Sequence, residues 1–342
     1  MKTRKVVSLI RWSSAILILG ALSLIANPPA GAAAGAACQG LKGTFLQLTE
    51  VQSARPAAEW RQLFDELRTI GINTLFLQWT VLDRKPLFPT ARNETGANTP
   101  LGSILDLAAQ SGIRVWFGLA LDSSYWEEIK QPADFLRPYF RRRLQDLAGF
   151  LDDLNAATAG APFAGWYIPD EIDDRTWLDS GKRAVLKKYL TETVALLRAR
   201  RPGSKVAISG FSNSFADPDL LASFWADVIT ASGIDLLLFQ DGVGEGKVAL
   251  DNIGLYYEAL DRAVRSAGAQ MGAVVELFTL MPDGRRLPAM AGRIRAQIAA
   301  ANRLTSFPAV AFSIPDYMSH LSGRQASDLL SNFLSSQKSC RG

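Results

Sequence analysis

The stretch GWYIPDEIDD, residues 165–174, decides how the rest of the chain is read. Trp166, Tyr167 and Ile168 form a short apolar run that breaks at Pro169 and delivers Asp170 and Glu171 into a loop. With side chains alternating across a strand, Trp166 and Ile168 share one face, and Tyr167 and Glu171 share the other. A carboxylate leaving a buried strand among aromatics sits where its position and acidity can be controlled. An acidic turn that caps the next helix would show the same letters, so the meaning of Glu171 depends on its strand's place in the count.

Working outward, short β-rich runs alternate with helical patterns from Gly43 onward. Before the central stretch stand runs at 43–48 (GTFLQL), 73–79 (NTLFLQW) and 114–120 (RVWFGLA). After it come 205–210 (KVAISG), 235–240 (DLLLFQ), 271–278 (MGAVVELF) and 309–314 (AVAFSI). Between them lie stripes with a 3.6-residue period, such as Trp60, Leu63, Phe64, Leu67 and Ile70, which fit helices packed on a sheet by one face. Gly71, Gly112 and Gly233 each stand between a helical pattern and a strand, where glycine ends a helix in the left-handed conformation. Eight such units predict an α/β fold, a single (β/α)8 barrel over residues 38–342, with the central stretch as its fourth strand. A doubly wound open sheet is the alternative.

Residues 1–37 read differently. Lys2, Arg4, Lys5 and Arg11 precede an apolar run from Ala15 to Ala26 and then the small-residue tract NPPAGAAAGAA. That layout predicts a signal peptide and an exported chain, periplasmic or secreted, and no later run is long enough to span a bilayer. Without those four cations, the 37 Lys+Arg of the whole sequence fall into balance with its 33 Asp+Glu. A formally neutral mature chain gives no electrostatic case for nucleic acid or an anionic membrane as partner.

Scarcity narrows the chemistry. One histidine (His320) and two cysteines (Cys38, Cys340) exclude histidine-rich zinc sites and cysteine clusters. No nucleophile-elbow pattern accompanies His320. Neither a metal nor an organic cofactor is expected, and carboxylates remain as acid, base or nucleophile. In a (β/α)8 barrel the chemistry collects at the C-terminal ends of the strands. That rim is expected to carry Gln78, Trp79, Asp122, Trp126, Glu171, Asn213, Gln240, Asp241, Glu276, and Asp316 with Tyr317, and Tyr167 and Asp170 are further candidate substrate contacts. Glu276 interrupts the apolar AVVELF, where a carboxyl is costly unless paired or used. Since Gln240 and Asp241 are adjacent, alternation lets only one of them point fully inward. The turn DGVGEG (241–246) lacks the Lys-Ser/Thr of a phosphate loop and is expected to be a mobile rim loop.

Glutamates closing the fourth and seventh strands resemble the clan of retaining glycoside hydrolases built on (β/α)8 barrels. More closely, GTFLQL, LQW, GWYIPDEID, FQDGVG and VVELF are similar to the DUF4434 family of glycosyl-hydrolase-like barrels. The resemblance covers nearly all of the mature chain. It implies Glu171 as acid/base and Glu276 as nucleophile, acting on a polysaccharide or oligosaccharide. The Asn-Glu pair usual in the clan's fourth strand stands here as Asp170-Glu171. Aromatics such as Trp79, Tyr125, Trp126 and Tyr317 would stack on sugar faces, and Gln78, Asn213, Gln240 and Asp241 would bind hydroxyls. Two other classes stay open: a glycan-binding barrel of an exopolysaccharide system that cleaves nothing, and a carboxylate–metal hydrolase using Asp170, Glu171, Asp173 and Asp174.

The two cysteines flank the mature chain. In a barrel both ends come to the N-terminal face, so Cys38 and Cys340 are expected to form a disulfide in an oxidising compartment. Ala36-Ala37-Cys38 also partly fits a lipobox, which would instead make Cys38 a lipid anchor.

Overall fold

The computed structural model describes residues 40–88 and 100–339. The signal peptide read over residues 1–37 and both cysteines lie outside the described residues. Among those described, no helix is long and apolar enough to cross a membrane.

Eight strands close into a barrel: β1 (Gly43–Leu46), β2 (Thr74–Leu77), β3 (Arg114–Gly118), β4 (Phe163–Asp173), β5 (Val206–Phe211), β6 (Leu236–Gln240), β7 (Gln270–Glu276) and β8 (Phe307–Phe312). Each pairs in parallel with its neighbours in chain order, and β8 returns to β1. Among the described residues, eight helices of ten residues or more wrap the outside: α1 (Ala57–Ile70), α2 (Leu101–Gln110), α3 (Ala133–Ala157), α4 (Ser180–Arg200), α5 (Pro218–Ser232), α6 (Ile253–Ser266), α7 (Ala291–Leu304) and α8 (Arg324–Ser339). The (β/α)8 expectation holds. Gly71 and Gly233 cap α1 and α5 with φ of 94° and 71°, the left-handed conformation that a side chain would resist.

Alternation divides every strand between two cores. Phe45, Phe76, Trp116, Tyr167, Leu238, Val274 and Val310 fill the barrel interior. Leu75, Leu77, Trp166, Ile168, Leu237, Ala273 and Val275 face the helices. The interior is stacked aromatic at one level: Phe45 meets Phe76 at 5.2 Å, and Phe76 meets Trp116 at 5.5 Å. Such rings fill volume with few torsions to freeze, so the barrel is a packed core with chemistry confined to its rim.

The central stretch departs from its expected form. β4 does not stop at Pro169 but runs on to Asp173. Its ladder with β5 jumps from Ile168↔Ile208 to Ile172↔Gly210, spending four residues against two. Pro169 has no N–H to donate, so the strand bulges there and resumes. The loop after β2 is also more structured than its polarity suggests. Val81–Leu82 pairs with Lys85–Pro86 and with Ala120–Leu121 in a small sheet of its own. A second hairpin, Phe278–Leu280 with Arg286–Pro288, follows β7.

Candidate active site

Glu171 continues the inward parity of Tyr167 past the bulge, and its Oε1 accepts a hydrogen bond from Gln240 Nε2 at 2.7 Å. Tyr125, buried after β3, donates to the Glu171 carbonyl at 2.8 Å and fixes the backbone that carries the carboxyl. Glu171 lies deep in the mouth but keeps a thin solvent contact. Burial pushes its carboxyl above the ordinary range, while the Gln240 amide and the nearby Lys247 charge pull it back.

Glu276 closes β7 on the face that carries Val274, so it too turns to the interior. It is 3 % exposed, and Oε2 accepts the backbone N–H of Glu245 at 2.9 Å. An arginine does stand nearby, but Arg293 of α7 donates to the carbonyls of Glu276 and Phe278 instead of the carboxylate. Burial raises the Glu276 carboxyl most, and the Asp241 charge adds to it; the N–H groups of Glu245 and Gly244 work the other way. Asp241 is raised in turn by its own burial. Two buried carboxyls that feel each other's charge resist ionising together.

Residues 241–248 form the cradle of Glu276, and they are not the loose loop expected of DGVGEG. Lys247 and Val248 donate to the Gly242 carbonyl, Leu280 donates to the Gly244 carbonyl at 2.8 Å, and Arg286 pairs with Glu245 at 2.6 Å. Gly244 lies against the carboxylate: a Cβ there would come within 2.8 Å of Glu276 Oε2. Asp241 anchors the turn by accepting Val243 N–H at 3.1 Å and the Gln297 amide of α7.

Around the two glutamates stand several of the expected residues. Gln240 is the inward member of its pair. Gln78 is buried beside the mouth and accepts from Gln47 Nε2 at 2.7 Å. Trp126 is 40 % exposed and packs on Phe211, ring centres 5.9 Å apart. Tyr317 meets Phe278 at 5.2 Å on the opposite side, and Asn213 follows β5 with its N–H held by Asp174.

Five others are placed elsewhere. Tyr167 is fully buried among the interior aromatics, its hydroxyl donating to Ser209 Oγ at 2.8 Å, so it is floor and not a sugar contact. Asp170 points outward between α3 and α4, salt-bridged to Arg143 at 2.6 Å and bonded by Tyr189 at 2.7 Å. Asp241 is likewise turned to the helix layer and wholly buried. Asp122 spends its carboxylate on Ser124 and on Tyr139 of α3, at the side of the barrel. Trp79 is 6 % exposed, leaving no open ring face for a sugar. Asp173 and Asp174 also diverge: Asp173 caps Thr176, while Asp174 gathers Ser212 and the N–H groups of Asn213, Phe215 and Ala216. The dense acidic run therefore does not converge on one point.

Sequence reasoning missed Gln47, Lys247 and Arg286. Gln47 was within reach, since it shares the parity of inward Phe45. Lys247 and Arg286 come from rim turns, where no periodicity fixes direction.

The barrel is shared with solved structures of low sequence identity. A Bacteroides thetaiotaomicron protein described as a "putative alpha-L-fucosidase" aligns with a TM-score of 0.71 at 20 % identity, covering 88 % of this chain and 96 % of that one. An endo-1,4-beta-D-mannanase from Thermotoga petrophila aligns at 0.57 and 13 % identity, covering 80 % and 88 %. A GH18 chitinase from Pseudoalteromonas aurantia aligns at 0.53 and 12 % identity, covering 88 % and 99 %. In sequence, the uncharacterized protein YbcH of Escherichia coli K12 is 29 % identical over 240 residues, 70 % of this chain and 77 % of its own. The model of DUF4434, a domain of unknown function, matches residues 41–323, and the chain belongs to that family.

Proposed function

We propose that this chain is an exported glycoside hydrolase that cleaves a polysaccharide or oligosaccharide with retention of configuration. The observation that carries the reading is the pair of glutamates, one closing β4 and one closing β7, each turned to the interior side of its strand. Structural neighbours named as mannanase and chitinase are in keeping with it.

The chemistry follows from the surroundings. Glu171 acts as acid: burial favours its protonated form, ready for a glycosidic oxygen that becomes basic as its bond to the sugar breaks. Glu276 attacks the anomeric carbon as a carboxylate; burial and the Asp241 charge raise its pKa to about 8, so the attacking form is reached against them, with the Glu245 and Gly244 N–H groups favouring it. The leaving alcohol departs with the proton of Glu171. Glu171, now a base, takes a proton from water as that water attacks the glycosyl-enzyme. Such a double displacement asks for carboxyls about 5–5.5 Å apart. Incubation with a panel of bacterial and plant glycans, read by chromatography of the products, tests the proposal. New reducing ends that vanish with Glu276→Gln are expected; an unchanged panel would remove the hydrolase reading.

A further inference from the structure

Most charges at the mouth are committed. Arg286 pairs with Glu245, Arg293 donates to main-chain carbonyls, and Asp241 is held by Gln297 and the main chain. Lys247 differs. Among the described residues no carboxylate lies within 4.0 Å of its Nζ, although the side chain is half-buried. The ammonium instead stands 3.8 Å from the centre of the Phe211 ring.

Its position is fixed by the main chain. The Lys247 N–H donates to Gly242 at 2.8 Å, and its carbonyl accepts from Ser214 Oγ at 2.6 Å. The ring beneath it is also met by Trp126, whose indole is 40 % exposed. Phe211 is only 6 % exposed, so it is the backing on which Trp126 and Lys247, from the ends of β3 and β6, are both set. Trp126 packs edge-on against Tyr125, ring centres 5.3 Å apart, and the Tyr125 hydroxyl donates to the Glu171 carbonyl at 2.8 Å, which ties these side chains to the acid. An ammonium is a compact point charge with a strong demand for an oxygen partner, and a partly dehydrated one favours an anion.

We propose that Lys247 selects an anionic glycan: the exposed Trp126 indole takes the face of a sugar ring, and the ammonium takes the carboxylate of a uronic acid residue beside the scissile bond. This rests on the carbohydrate reading of the mouth and adds the substrate class to it. One carboxylate per sugar, reached by one fixed ammonium, also discriminates. A neutral chain leaves the cation without an oxygen of opposite charge, whereas a uronate supplies a charge-assisted hydrogen bond.

The test is binding, separated from turnover by using the full chain with Glu276→Gln. Calorimetry compares uronic-acid oligosaccharides with the same oligosaccharides after reduction of their carboxyl groups to alcohols. The acidic form is expected to bind about tenfold more tightly at low salt, with the advantage shrinking as salt rises. Adding Lys247→Gln should abolish the difference between the two forms, and Lys247→Arg should retain much of it. Equal affinities for the two forms would overturn the assignment and leave a neutral-glycan reading intact, whereas a preference that survives Lys247→Gln would overturn the role of Lys247 and leave only the carbohydrate reading. Binding of neither form would overturn the assignment and the carbohydrate reading together.

Discussion

Gln240 Nε2 donates to Glu171 Oε1 at 2.7 Å, while the next residue, Asp241, turns the other way into the helix layer. Two adjacent residues at the end of β6 thus serve the two carboxyls of the site separately. Gln240 orients Glu171 from inside the barrel. Asp241 anchors, from outside, the turn that holds Glu276.

The Asp241–Glu276 relationship has a sign that kinetics can read. Asp241 raises the Glu276 carboxyl, so removing its charge should let Glu276 ionise at lower pH. Asp241→Asn should move the acid limb of kcat/KM down by about one pH unit. A purely structural role would lower the rate at every pH without moving the limb.

Stability should respond in the opposite sense to activity. A carboxyl raised on folding holds a proton in the folded chain that the unfolded chain has already released, so stability falls as pH climbs from the ordinary carboxylate range toward the raised value. Glu276→Gln removes that loss. Its Tm should exceed that of wild type by about 2–4 °C in mildly alkaline buffer, and the gap should close toward pH ~4. Scanning calorimetry across pH checks it, and a gap that widens toward acid would contradict the assignment.

Gly244 is held to glycine by the carboxylate it touches. Gly244→Ala drives a methyl group against Glu276 Oε2 and the Phe278 carbonyl. The turn must shift, taking the Glu245 N–H off the carboxylate. Activity should fall by at least about tenfold, with the loss appearing in kcat more than in KM. Replacing exposed Gly246 with alanine is a poor control because of its φ of 69°. Ala249→Ser on the same turn, exposed and free of such strain, is the better one and should cost little.

Much of this was legible in the sequence, for reasons that differ by residue. Period-2 and period-3.6 patterns placed all eight strands because each strand buries both faces and each helix only one. The same alternation put Glu171 and Glu276 inward. It misled at Asp170 only by omission: parity sends it outward, but the Arg143 and Tyr189 partners come from α3 and α4, which no local pattern connects to β4. Trp79 and Asp122 looked like rim residues because they follow strands, yet the small sheet at Val81–Leu82 and Ala120–Leu121 redirects the chain there. The 241–248 turn read as loose because glycine was counted as freedom. Here Gly242 takes a φ of 67° and Gly244 gives close approach, and both serve a fixed geometry.

Asp170 gives a stability prediction independent of any substrate. Arg143 is 10 % exposed and Asp170 1 %, so Arg143→Ala leaves a carboxylate buried without its cation. The expected cost is about 3–5 kcal/mol, and Asp170→Asn should recover part of it in the double variant. Urea unfolding of the four chains gives the coupling; additive effects would mean the pair does not interact.

The central claim is that Glu276 becomes covalently glycosylated while Glu171 moves the proton. The most direct measurement is peptide mass spectrometry of Glu171→Gln after incubation with glycosides carrying an activated leaving group. Such substrates need no acid to form the intermediate, but its hydrolysis lacks the base and is slow. The account predicts one added glycosyl mass on the peptide containing Glu276, absent from the Glu171→Gln/Glu276→Gln double variant. A glycosyl group on any other residue, or hydrolysis that persists after Glu276→Gln, would contradict it.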